Sequence, residues 1–247
     1  MEAIMRRAFF LILVIGACFN AQGGRDGAIS GVDHVATANA ANKQLDFYYY
    51  IPAQVAANRA RACPLIVCVP GLSGRGESFV GPEIKAFADE MGAVVIAPSF
   101  VWDQENWDSQ TSYQYPQAWS GNALLSIVET VKTAQGLEFT KFCLLGFSAG
   151  AQFCLRFAVW KPELCLACAA HGPGGAVFPA SASSVKFLVG IGKDDIQDRR
   201  DHAEYFCETA RKWGIEAELK EYPGGHEFSD VQLADSLALF RKAILGR

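Results

Sequence analysis

Apolar residues recur along this chain in two styles. Short continuous or alternating runs read as strands, and runs spaced by three and four residues read as helices. Residues 45–51 are aromatic and β-prone and stop at Pro52, which predicts a strand. Residues 53–62 are small and polar and read as a loop. Pro64-Leu65-Ile66-Val67-Cys68-Val69 is apolar throughout, as expected of a strand covered on both faces. A turn-rich loop follows, Pro70-Gly71-Leu72-Ser73-Gly74-Arg75-Gly76. Residues 82–91 place Ile84, Phe87, Ala88 and Met91 on one helical face, and Gly92 ends the run. Further strands are predicted over 93–97, 141–147, 164–170, 185–191 and 215–222, the last alternating as an edge strand does. Further helices are predicted over 122–134, from 151, over 199–213 and over 230–245, with Ser229 or Asp230 as the final cap.

Strands and helices therefore alternate over almost the whole chain. That argues for one mostly parallel sheet with helices on both faces, an α/β architecture without a dividing linker. Two stretches lack a regular period. Residues 19–42, rich in Gly, Ala and Asn, read as a flexible lead with an edge strand near 32–37. Residues 100–120 carry Trp102, Trp107, Tyr113, Tyr115 and Trp119 among polar residues. Such a stretch either forms a wall of a site or packs its rings on the core.

Composition narrows the class. Of 247 residues 51% are hydrophobic and 19% charged, a globular balance with room for one large domain. A net charge of −4 without a basic tract argues against nucleic acid or an anionic membrane surface as partner. At the N-terminus Arg6-Arg7 precedes ten apolar or small residues, 8–17. As a helix these cover only about 15 Å, roughly half a bilayer core, so they read as a signal peptide and not as a span. Residues 1–17 are thus expected to be an export signal, 18–44 the lead, and 45–247 the folded domain. Ile15-Gly16-Ala17-Cys18 resembles a bacterial lipobox, in which Cys18 would be lipidated; cleavage by an ordinary signal peptidase and retention as an uncleaved anchor are the other readings. On the lipobox reading a lipid on Cys18 would be the only membrane attachment. The remaining cysteines lie in apolar runs and read as small buried hydrophobes. Cys165 and Cys168 sit three apart on a strand and so face opposite ways, which argues against a metal or redox pair.

Candidate chemistry begins at Gly146-Phe147-Ser148-Ala149-Gly150. Strand, tight turn and helix surround Ser148, the context a nucleophile elbow requires. Glycines on either side allow close approach of strand and helix. The amide of Ala149, at a helix N-terminus, would face an oxyanion. Asp194 and Asp195 follow a later strand, and His226 follows the last. In a parallel sheet these positions share the carboxyl edge, where ligands bind. A serine hydroxyl needs a base, and a histidine base needs a carboxylate to hold its tautomer. His226 is the first-choice base. His171, in His171-Gly172-Pro173-Gly174-Gly175, also ends a strand and is the second choice or a pocket neighbour. His34 falls too early, and His202 lies within a helix.

The order Ser, Asp, His is that of the α/β-hydrolase triad. On Val69-Pro70-Gly71-Leu72, Gly146-Phe147-Ser148-Ala149-Gly150, Gly192-Lys193-Asp194-Asp195 and Gly224-Gly225-His226 the chain resembles the α/β-hydrolases over roughly residues 45–247. It is similar above all to the compact, lidless esterases of the dienelactone hydrolase, feruloyl esterase and polyhydroxybutyrate depolymerase type. The resemblance implies a single α/β-hydrolase domain with no large cap, the short connection between 170 and 185 leaving no room for one. It implies Ser148 as nucleophile, His226 as base, and a carboxylate three residues after a strand-ending glycine. Counted from Gly192 that is Asp195, with Asp194 open as the alternative because Gly190 blurs the register. The second oxyanion amide would come from Leu72, with Pro70-Gly71 replacing the usual His-Gly entry. No cofactor or metal is implied: His226-Glu227 lacks the second histidine of a zinc motif, and no dinucleotide or phosphate loop occurs. The expected reaction is hydrolysis of a small-molecule or polymer ester through an acyl-enzyme by an exported protein. A prolyl-oligopeptidase-type peptidase, an acyltransferase, and a non-catalytic binding protein on the same scaffold are the alternatives.

Overall fold

The computed structural model describes residues 22–23, 27–39, 43–72, 74–101 and 108–246. The expected signal segment, Cys18, Trp102 and Trp107 lie outside them. Among the described residues nine strands form one sheet: β1 (Gln22–Gly23), β2 (Ile29–Ala36), β3 (Gln44–Ile51), β4 (Cys63–Val69), β5 (Val94–Pro98), β6 (Phe139–Phe147), β7 (Cys165–His171), β8 (Lys186–Gly192) and β9 (Ala217–Tyr222). Their spatial order is β1-β2-β3-β5-β4-β6-β7-β8-β9. The pairs from β5 to β9 are parallel, and β1 to β3 join antiparallel at one side. The sheet thus starts ahead of residue 45, within the stretch read as a flexible lead. Along β2 the alternation is real: Asp33 and Val35 are buried and their neighbours are not. Every residue of β2 pairs with β3, from Ile29 against Ile51 to Ala36 against Gln44.

The helices are α1 (Ala53–Ala57), α2 (Gly76–Phe79), α3 (Pro82–Met91), α4 (Gly121–Gln135), α5 (Ala149–Trp160), α6 (Gln197–Lys212) and α7 (Asp230–Ile244). The short α1 replaces the predicted loop at 53–62; it is one turn, closed by the Val55 and Ala56 amides on the Pro52 carbonyl, too short to show a period. The two-residue side-chain period of the strands divides the core. Leu65, Val67 and Val69 of β4 join the cluster that holds residues of α4, α5 and α6, while Ile66 and Cys68 join the one that holds residues of α3 and α7. Helices cover both faces, as the pattern implied, and residues 172–185 between β7 and β8 form no helix.

The aromatic stretch resolves toward packing. Tyr113 and Trp119 are buried against Phe100, Tyr113 stacked at 4.8 Å and Trp119 edge-on at 5.9 Å, with Phe153 of α5 beneath at 5.1 Å. These two rings are core, not a wall facing solvent. A π-helical turn, Pro116–Ser120, carries the chain from them into α4. Seven cysteines from Cys63 to Cys207 are unpaired and buried. Burial pushes the Cys143 and Cys207 thiols up to about 12, which keeps them protonated and unreactive.

Candidate active site

The site grows from the junction of β6 and α5. Ser148 has φ 55° and ψ −119°, and among the described residues it alone combines a side chain beyond glycine with a positive φ. Such a backbone costs about 1–3 kcal/mol and persists only where its surroundings impose it. Here the surroundings are backbone. A Cβ on Gly146 would lie 2.5 Å from the Gly150 carbonyl oxygen, and one on Gly150 would lie 2.1 Å from that of Val69. The Ser148 amide donates to the His171 carbonyl at 2.8 Å, which ties the turn to β7. The two glycines flanking the serine are therefore required by close packing of strand on helix.

Two other turns converge on this point. After β8 the Asp195 amide closes a turn on the Gly192 carbonyl at 3.2 Å. The Asp194 amide donates to the Gly224 carbonyl at 2.9 Å, which binds the turn after β8 to the turn after β9. His226 follows in that second turn. Its Nε2 lies 2.9 Å from Ser148 Oγ, and its Nδ1 lies 3.0 Å from Asp195 Oδ2. Since the carboxylate can only accept, Nδ1–H donates to it and Nε2 is left to accept the serine proton. The Phe147 ring stacks on the imidazole at 5.0 Å, and Gly172 abuts its Nδ1 and Cε1 edge. Asp195, not Asp194, meets the histidine; Asp194 is exposed.

The Asp195 side chain is only 1% exposed. Burial by itself would raise its pKa. Hydrogen bonds from Arg199, His226 and the Ile196 amide outweigh that, so the carboxyl is held below the usual carboxylate range and stays ionised. Arg199 and Phe147 were not singled out from sequence. The signal for Arg199 was present, an acid and a base four residues apart at the start of a helix.

His171 proves not to be a base for Ser148. Its ring is fully buried and its Nε2 lies 2.8 Å from Ser236 Oγ on α7. Ser236 spends its own proton on the Gln232 carbonyl, so the His171 ring donates from Nε2. Burial, opposed only in part by Asp235, lowers the His171 pKa to about 3, and the ring is neutral. It does not line a pocket either. Its loop does approach the site: a Cβ on Gly172 would meet His226, and one on Gly174 or Gly175 would meet Gln152.

Leu72 lies in the loop just after β4 and is 48% exposed. The segment is close to the serine: a Cβ on the preceding Gly71 would lie 3.3 Å from Ser148 Cβ. Among the described residues the Leu72 and Ala149 amides donate to no backbone carbonyl. No group of His, Cys, Asp and Glu among the described residues could hold a metal ion. A cavity of about 760 Å³ lies elsewhere, beside the starts of β4 and β6, lined by residues such as Gln54, Cys63, Met91 and Thr140. It contains none of the groups described above.

A mostly parallel sheet with a strained serine elbow, an aspartate after β8 and a histidine after β9 defines the α/β-hydrolase fold. Within that class the model of the dienelactone hydrolase family matches residues 45–237, and the chain belongs to this family. Feruloyl esterase B of Thermothelomyces thermophilus is 26% identical over 176 residues, 69% of this chain and 55% of that protein. Acetylxylan esterase A of Aspergillus awamori is 26% identical over 120 residues, 47% of this chain and 38% of that protein. The chain thus spans about half the length, or less, of the curated relatives it matches. Among solved structures, an S-formylglutathione hydrolase from Agrobacterium tumefaciens superposes with a TM-score of 0.68 at 15% identity, covering 94% of this chain and 99% of that one. That similarity concerns the fold.

Proposed function

We propose that this protein is a serine carboxylic-ester hydrolase working through an acyl-enzyme, with Ser148 as nucleophile, His226 as general base and Asp195 as its partner. The observation that carries the reading is the continuous hydrogen-bond chain from Ser148 Oγ through His226 to Asp195, at 2.9 and 3.0 Å. In the first step Ser148 Oγ attacks the ester carbonyl while His226 Nε2 takes its proton. Asp195 stabilises the imidazolium, and the Leu72 and Ala149 amides receive the oxyanion. His226 then returns the proton to the departing alcohol. Water, activated by the same nitrogen, releases the acid and restores the serine.

The substrate is a small ester or an ester group borne by a polymer. The short connection at 172–185 carries no helical cap that would exclude a bulky alcohol portion. The names of the two curated relatives direct the first assays to feruloyl and acetyl esters. The protein is exported, on the evidence of Arg6-Arg7, the apolar residues after it and Ile15-Gly16-Ala17-Cys18. Metabolic labelling with a radioactive fatty acid, lost in Cys18→Ala, would separate a lipoprotein from a cleaved secreted form.

The decisive test is labelling by a fluorophosphonate probe together with turnover of p-nitrophenyl, feruloyl and acetyl esters and of amide analogues. Wild type is expected to label and to cleave esters in preference to amides. Ser148→Ala is expected to do neither while melting as a folded protein. Near-normal ester hydrolysis by Ser148→Ala would refute the assignment.

A further inference from the structure

Asp195 does not face His226 alone. Its second oxygen, Oδ1, accepts from Arg199 Nη1 at 2.8 Å and from the Ile196 amide at 2.8 Å. Arg199 lies in the first turn of α6, four residues after the aspartate, with its side chain 27% exposed against 1% for the carboxylate. A surface pair of this spacing contributes little. This one is different, because the carboxylate is out of water and its other oxygen holds the imidazole. Arg199 also borders the loop after β7, its Nε lying 3.7 Å from where a Cβ of Gly174 would stand. The charged groups that act on Asp195 are thus Arg199, from α6, and His226, from the turn after β9. One negative charge is shared between a guanidinium and an imidazole N–H.

We propose that Arg199 is a positioning residue that fixes the Asp195 carboxylate and, by sharing its charge, sets the pH at which His226 becomes protonated. The inference rests on the hydrolase reading for its functional consequence. With the guanidinium in place, Asp195 is oriented by two donors on Oδ1, so Oδ2 points at Nδ1–H without a rotamer search. The same guanidinium offsets part of the attraction between Asp195 and an imidazolium. No proton moves to or from Arg199, which stays charged throughout.

The test compares wild type with Arg199→Gln, Arg199→Met and Arg199→Lys in two readouts. The first is the NMR titration of the His226 ring between pH 4 and 9, assigned by the signal lost in His226→Gln. The second is the acid limb of kcat/KM for p-nitrophenyl acetate. With a hydrogen-bonded carboxylate between the guanidinium and the imidazole, loss of the guanidinium charge is expected to move both upward by about 0.5–1 pH unit. Arg199→Lys, which keeps the charge, is expected to return most of the way. Arg199→Met retains the aliphatic stem and stands in if the glutamine variant does not fold. A lower melting temperature with unmoved titration and acid limb would make Arg199 a structural ion pair and overturn the proposal. The NMR arm needs no turnover. A wild type that cleaves no ester, together with an Arg199→Gln variant whose His226 signal shifts, would therefore refute the hydrolase reading and leave the coupling standing.

Discussion

Gly172→Ala isolates how closely the imidazole of His226 is held. Gly172 has φ +62°, and a Cβ there would stand 2.9 Å from both Nδ1 and Cε1 of His226. Carbon needs about 3.5 Å from such atoms, so the ring or the loop must retreat by about 0.6 Å. The ring is bounded by the Phe147 stack and by hydrogen bonds of 2.9 and 3.0 Å to Ser148 and Asp195. A retreat of that size stretches at least one of these toward the limit of a useful bond. Misplacement on the 1 Å scale costs roughly a hundredfold in rate, so a loss in kcat of about 10- to 100-fold is expected. Stability should fall as well, because alanine in a left-handed conformation costs about 1–2 kcal/mol. In a domain of this size 1 kcal/mol moves the melting temperature by about 2–4 °C. The control is Gly136→Ala. Gly136 has nearly the same φ, +61°, and nothing within 4 Å of the added carbon. Both variants should lose the backbone contribution to stability, Gly172→Ala somewhat more because of its clash, and only Gly172→Ala should lose kcat on p-nitrophenyl acetate. Equal kcat values in the two would show that the contact with His226 carries no catalytic weight.

Three further outcomes are expected. Asp195→Asn should lower kcat by up to about 10⁴-fold through the wrong imidazole tautomer, whereas the exposed Asp194 tolerates asparagine; the reverse pattern in steady-state kinetics would exchange their roles. Gly190→Ala places a Cβ 2.1 Å from His171 Nδ1 in the buried sheet, so its melting temperature should drop by several degrees. Combining it with His171→Ala should recover part of that loss, and absence of recovery would place the strain elsewhere. Because the folded His171 pKa is lowered to about 3 from an ordinary 6.5, the unfolded chain binds a proton that the folded chain refuses between those values. Stability should therefore fall with falling pH across that window, by about 1.4 kcal/mol per unit from this one residue, and not above it. Urea midpoints from pH 7 to 4 should be steeper for wild type than for His171→Gln; parallel slopes would show that the buried ring takes up its proton in the folded state.

The alternation of apolar runs was enough to announce a parallel sheet wrapped by helices, because each run obeys a local period that burial enforces. Strands covered on both faces, such as β4, and amphipathic helices such as α3 carry that period in full. The elbow at Ser148 was legible for a related reason: close backbone approach admits only glycine at 146 and 150, and that demand leaves a mark in the sequence. His226 could be placed by its position after the last strand. Other features carry no local period. Adjacent aspartates in a turn look alike in sequence. Which one meets the histidine follows from the hydrogen bonds that lock the turns after β8 and β9 together. His171 ends a strand at the same edge as Ser148, yet Ser236, 65 positions away, claims its ring. Tyr113 and Trp119 lie in a stretch with no period, and their burial against Phe100 depends on where β5 and α5 happen to meet them. The sequence by itself determined the main strands and helices from residue 45 onward, their order along the chain and the reactive residue types at one edge of the sheet. Only the tertiary structure decided which acid faces the histidine, because that contact joins turns distant in sequence and no local preference encodes it.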